Sequence, residues 1–157
     1  MEVSIAMLLA AVVIGITYTA YSIIVRSYLS YKHKNEDMMV LFRVDELLKK
    51  DFARADTIWK SDKGIKFKDS TGMVNYEVDS DYIVRTSTII DTFKVKIVAE
   101  SLFFENQPLT ELSAVEELNR TDELKLVILF QDEQIPYHYH KTYSSANLIQ
   151  RNINALN

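Results

Sequence analysis

The sequence predicts an α+β fold: a long N-terminal helix, with a membrane half and an amphipathic half, packed on an antiparallel β-sheet. Three observations carry that expectation. Residues 3–25 hold no charged side chain. Residues 26–59 hold neither Gly nor Pro and place apolar residues three or four apart. Beyond Trp59, apolar residues alternate with polar ones between turn signals. A period of about 3.6 marks a helix with one apolar face, and a period of about two marks a half-buried strand.

The uncharged run is long enough to cross a bilayer as a helix, which takes about 20 apolar residues. Its interruptions are mild: Ser4, Gly15, Thr17, Tyr18, Thr19, Tyr21 and Ser22. Ser and Thr are tolerated because they bond back to carbonyls of their own helix. Tyr18, Tyr21, Tyr28 and Tyr31 fall on related faces. Tyr favours the headgroup level, so the segment is expected to leave the membrane between residues 18 and 28. No basic residue precedes the run, and a cleaved secretory signal needs one. The nearest cations, Arg26, Lys32 and Lys34, follow the run. Taken literally, the positive-inside rule leaves the following domain cytoplasmic; a basic leader upstream of Met1 would reverse that orientation.

The helix is expected to continue past the membrane. Met38, Leu41, Leu48, Phe52, Ala55 and Trp59 form a stripe that only Asp45 interrupts, and Leu47 and Phe42 widen it. Arg43, Lys49, Lys50 and Arg54 fill the other, solvated side. A helix over residues 3–58 would be roughly 80 Å long at about 1.5 Å per residue. The expected division is therefore residues 1–25 in the membrane, 26–59 as the amphipathic half, and 60–157 as a β-rich globular domain.

In that domain, Ile65 and Phe67 alternate with lysines and run into the turn signal Asp69-Ser70-Thr71-Gly72. Residues 73–78 follow, then a second turn at Asp79-Ser80-Asp81. Residues 82–85 and a long β-rich stretch over 89–98, with 102–105 extending it, complete an antiparallel meander. Residues 108–120 read as one short helix or an excursion loop. Residues 124–130 read as a central strand, and Pro136 marks residues 137–139 as an edge strand or a bulge. Residues 145–156 read as a short terminal helix.

Composition narrows the function. The chain has 157 residues, a net charge of −4 and no Cys, which excludes disulfides, thiolate chemistry and Cys-based zinc sites. Lys and Arg are scattered, leaving no electrostatic footprint for nucleic acid. No nucleophile elbow, phosphate loop or His-Glu zinc signature occurs, so no enzyme, cofactor or metal is expected. His138 and His140 share a strand face but lack a third ligand, and read as a half-exposed edge strand. His33 reads as a solvated residue, and Asn119-Arg120-Thr121 as a chance glycosylation sequon.

Glu2 stands apart. An acid at a helix N-terminus gains about 0.3–1 kcal/mol from the helix dipole. At membrane depth a charge costs about 2.5–3.5 kcal/mol even on lenient scales, so the carboxylate wants a cationic partner. Glu2 is the candidate assembly residue.

Met1-Glu2-Val3-Ser4-Ile5-Ala6-Met7-Leu8-Leu9 resembles the start of the type IV pilin and pseudopilin superfamily. Its members carry a short basic leader ending in Gly or Ala, then Phe-Thr-Leu-(Ile/Leu/Met)-Glu and about twenty apolar residues. Met1-Glu2 matches the last two motif positions; the leader and Phe-Thr-Leu do not occur in the sequence, and the expectation is that the true start lies upstream. Residues 45–55 resemble the amphipathic helix end of J-type minor pseudopilins of type II secretion, with Leu48, Asp51 and Ala55 on a Leu-x-x-Asp-x-x-x-Ala pattern. Val74-Asn75-Tyr76-Glu77-Val78 and Tyr82-Ile83-Val84-Arg85 resemble their strand pair. The absence of a Pro near residue 19 leans toward a minor subunit.

The resemblance implies a non-enzymatic filament subunit, held in the bacterial inner membrane by one span with its globular domain periplasmic. It would then be extracted into a periplasmic pseudopilus. Its partners would be other pilin or pseudopilin subunits, the inner membrane and, given an upstream leader, the prepilin peptidase. Glu2 would pair with the N-terminal amine of a neighbour. The alternative is a single-pass anchored periplasmic binding or sensory domain, for which Glu2 would be dispensable.

Overall fold

The computed structural model describes residues 2–149, the side chains of residues 2, 146 and 149 excepted. It is an α+β fold. Helix α1 covers Glu2–Arg54. It is followed by β1 (Thr57–Ser61), β2 (Gly64–Asp69), β3 (Gly72–Val78), β4 (Tyr82–Thr86), β5 (Ile90–Lys94), β6 (Lys96–Phe104), β7 (Gln107–Pro108), β8 (Glu123–Phe130), β9 (Glu133–His140) and α2 (Ser145–Ile149). The chain forms two compact units, Met1–Met39 and Val40–Asn157.

The first unit is helix alone. Among the described residues its large apolar side chains are exposed, Val25 excepted, Val3 and Met7 by more than 70%. By length and composition, α1 contains a stretch able to cross a membrane. Thr17 and Thr19 donate their hydroxyls to the carbonyls of Val13 and Gly15, both at 2.8 Å, so neither leaves a polar group unpaired on the apolar surface.

In the second unit, Leu41, Val44, Leu48 and Phe52 are buried at steps of three and four and form the apolar stripe of α1, which the buried Ala55 continues just past the helix end. The stripe is narrower than the sequence implies. Leu47 packs against the core, but Phe42 is 68% exposed, one helical step off the buried line. The helix also ends earlier than expected, at Arg54. The Asp56 N–H bonds the Lys68 carbonyl at 2.7 Å, which starts the β1–β2 ladder, and the β-branched Thr57 and Ile58 suit a strand. Trp59 is buried on β1, opposite Lys66, rather than on the helix.

Two antiparallel sheets form where the sequence reads as one meander. One has the order β1-β2-β3-β4-β5, the other β7-β6-β8-β9. The expected stretch over 89–98 is divided at Val95. Phe93 and Val95 are both buried between the exposed Thr92, Lys94 and Lys96, so the period of two runs straight through the break. The ladder does not: β5 pairs with β4, whereas β6 pairs with β8. Strand β8 is central, with Leu124, Leu126 and Ile128 buried on one face. Strand β9 is an edge, where the missing N–H of Pro136 costs no ladder bond on the open side. Residues 108–120 form an excursion with a 3-10 turn at Glu116–Asn119. The terminal helix is described over Ser145–Ile149; the remainder of the expected helix lies outside the described residues.

The turns have chemical signatures. Asp69 Oδ1 accepts the N–H groups of Thr71 at 2.7 Å and Gly72 at 2.9 Å, closing the β2–β3 hairpin. Two hairpins that the sequence does not announce, β6–β7 and β8–β9, turn on Glu105-Asn106 and Gln131-Asp132, all at positive φ. Asn and Asp tolerate that region better than most residues, and two successive positive φ values make the tight turn that matches strand twist.

Gly64 opens β2 with φ +142°, and a Cβ there would collide with the backbone carbonyl oxygen of Tyr76 on the paired strand. Gly64→Ala is therefore expected to destabilise the second unit by at least about 1–3 kcal/mol, measured by denaturant unfolding followed by Trp59 fluorescence. An unchanged midpoint would contradict this placement of β2 against β3.

Candidate functional site

The sequence leads to Glu2 first. Its backbone begins α1, and its side chain lies outside the described residues. Beyond it, Tyr18, Tyr21, Tyr28 and Tyr31 are each at least 66% exposed.

His138 faces Glu123, with Nε2 and Oε1 2.7 Å apart, and its side chain is 58% exposed. Glu123 also pairs with Lys125 at 2.8 Å. These two partners, Lys125 foremost, hold the Glu123 carboxyl below the usual range. His140 is exposed, and His33 is an exposed neighbour of Glu36. Among the described residues no three His, Cys, Asp or Glu side chains cluster as metal ligands.

The sequon is structural. Asn119 is 6% exposed; its Oδ1 accepts the Ser113 N–H at 2.7 Å and its Nδ2 donates to the Ser113 carbonyl at 2.8 Å. A glycan there would have to break this closure of the excursion loop.

Three of the basic helix residues, Arg43, Lys49 and Arg54, are tied locally. Lys49 bonds Asp45 at 2.7 Å, Arg43 lies 3.7 Å from Asp91, and Arg54 lies 3.7 Å from Asp69. Lys49 and Arg43 thus serve intrachain pairing on a solvated face rather than a cluster aimed outward.

The concentrated polar chemistry lies where α1 meets the sheets. Asp51 is buried; its Oδ2 accepts the Tyr76 hydroxyl at 2.7 Å and the Arg85 Nε–H at 2.9 Å, and its Oδ1 accepts a second Arg85 N–H at 3.3 Å. Arg85 also donates to the Ser87 hydroxyl at 3.0 Å. Six residues earlier in the helix, Asp45 Oδ1 accepts the Tyr139 hydroxyl at 3.0 Å. Asp51 therefore binds the five-stranded sheet and Asp45 binds the four-stranded one. Phe52 sits between both, with its ring 5.1 Å from Phe67 and 5.6 Å from Tyr139. Burial, followed by the adjoining carboxylate, pushes the phenols of Tyr76 and Tyr139 well above the ordinary range.

Tyr143 is a third tether. Its hydroxyl donates to the Thr121 carbonyl at 2.6 Å and accepts the Ile58 N–H at 3.0 Å. The buried guanidinium of Arg120 lies 4.3 Å from its ring centre. Asp45 is visible in the sequence as the break in the stripe; Tyr76, Arg85, Tyr139 and Tyr143 carry no local signal that marks them as its kind.

Compared with protein-family models, curated proteins and solved structures, the chain matches none.

The three buried phenols set an alkaline limit. Burial pushes Tyr143 from 10.0 up to about 12. A raised folded pKa favours the protonated form, so this contribution is full below pH 10 and is lost as pH rises toward about 12. Two units correspond to at most about 3 kcal/mol. Denaturant unfolding of the whole chain in detergent should show stability falling steeply above pH 10, and Tyr143→Phe should make that fall shallower. An equally steep fall in the variant would contradict the assignment.

Proposed function

We propose that the chain is a minor pilin or pseudopilin: a structural subunit of a type II secretion pseudopilus or a type IV pilus-like filament, and not an enzyme. The observation that carries this reading is the double use of one helix. Helix α1 runs unbroken over Glu2–Arg54, uncharged over residues 3–25 and exposed all round over residues 3–21, while its last turns bury an apolar stripe in the second unit. An all-round apolar helix needs lipid or other helices to cover it. A filament subunit meets both needs in turn: lipid holds the helix before assembly, and neighbouring helices cover it afterwards.

In this reading the span lies in the bacterial inner membrane, and the second unit is periplasmic. Glu2 compensates its cost in an apolar setting by pairing with the N-terminal amine of a neighbouring subunit. The residue resemblance at 1–9, 45–55 and 74–85 supports the same assignment. The chemistry asked of the second unit is contact with other minor subunits.

Glu2→Ala tests it. Removing the carboxylate makes the helix more apolar, so membrane insertion should persist while incorporation into filaments is lost. Fractionation of membranes and sheared filaments, with crosslinking to neighbouring subunits, measures both. Full incorporation of Glu2→Ala would overturn the proposal and favour an anchored binding or sensory domain.

A further inference from the structure

We infer that the cleft between β1 and the β6–β7 hairpin binds an alkyl cation, an ammonium or guanidinium group on a short aliphatic stem. The inference is independent of the filament reading. It begins with a carboxylate in an unexpected place. Glu100 lies on β6 directly opposite Leu126, in the row that also carries the buried Leu102. Its Oε1 is buried and has no hydrogen-bond partner among the described residues. Burial pushes this carboxyl up, against the opposing charge of Lys60.

Lys60 gives this oxygen no hydrogen bond. Its ammonium donates instead to the carbonyls of Leu109 at 2.6 Å and Thr110 at 2.8 Å, anchoring the excursion loop to β1. The acceptor is left without a donor, on a side chain that lines two cavities. Two cavities, of about 320 Å³ and about 300 Å³, are both lined by Lys60, Glu100 and Leu102. Phe103, Pro108 and Leu109 add apolar wall to the first. A carboxyl oxygen without a donor, on a side chain that lines a cleft with an apolar wall, complements a group with a charged head and an aliphatic stem. A Lys or Arg side chain of another polypeptide has that form, and so does a free alkylguanidinium.

The test is titration of the isotope-labelled full chain in detergent micelles with N-propylguanidinium, followed by amide chemical shifts. Saturable shifts are expected at Lys60, Glu100, Leu102, Leu109 and Thr110. Glu100→Gln should weaken binding at least about tenfold, the loss of one charge-assisted bond. N-propylurea, a neutral molecule of the same shape, gives a control in the unaltered chain and covers the case in which Glu100→Gln fails to fold. It should not saturate the site. A short peptide carrying one Arg distinguishes the sources: its binding assigns the cleft to a partner side chain, and its exclusion with N-propylguanidinium bound assigns it to a free cation. Absent shifts, equal binding of the urea, or unaltered affinity in folded Glu100→Gln would overturn the inference.

Discussion

The buried carboxylate of Asp51 is the interaction on which the rest of the second unit depends. Burying an acid and a guanidinium costs several kcal/mol each, and attraction offsets this only with good geometry and satisfied hydrogen bonds. Here Asp51 accepts from Tyr76 and twice from Arg85, and Arg85 spends a further N–H on Ser87. An apolar stripe alone is non-directional, and Leu48 or Val44 would pack against many surfaces. The Asp51 bonds are directional and admit one placement of the helix over β3 and β4. The Asp45–Tyr139 bond does the same for the other sheet.

That placement explains why two separate sheets behave as one core. Little main-chain hydrogen bonding joins them; the Ile97 N–H reaches the Ser80 carbonyl at 2.8 Å, and the Thr121 N–H reaches the Ile58 carbonyl at 2.9 Å. The helix supplies the rest. Phe52 stacks toward both sheets, the two acids reach one sheet each, and Tyr143 closes the far side against β1. The same helix, earlier in the chain, has no polar side on residues 3–25 and nothing within its unit to cover it. A subunit that must be held first by lipid and then by other helices would be built this way.

Much of the fold is legible because its signals are local. The uncharged run, the stripe from Leu41 to Ala55, the Asp69 turn and the apolar strand β8 can all be read from spacing and turn chemistry. What is not legible depends on partners distant in sequence. The alternation of Phe93 and Val95 is identical whether one strand continues or two sheets divide, because the inward face persists while the ladder changes. The end of α1 is set by Lys68, which offers Asp56 its first ladder bond. The sequon Asn119-Arg120-Thr121 looks like a surface signal until Ser113 closes over it. Of the candidate sites, Glu2 is read from its position alone, whereas Tyr76, Arg85 and Glu100 acquire meaning only from what faces them.

The most direct measurement is a double-mutant cycle on Asp51 and Arg85 in the full chain, with Asp51→Ala, Arg85→Ala and both together, by denaturant unfolding. If the pair fixes the helix on the sheet, Arg85→Ala leaves the buried Asp51 without its cation and costs about 3–5 kcal/mol, and Asp51→Ala, which leaves a half-buried guanidinium near Asp91, costs less. The double variant then costs less than the sum, with a coupling of at least about 1–3 kcal/mol. Additive losses would mean that the two side chains act separately, and that packing of the apolar stripe alone determines where the helix lies.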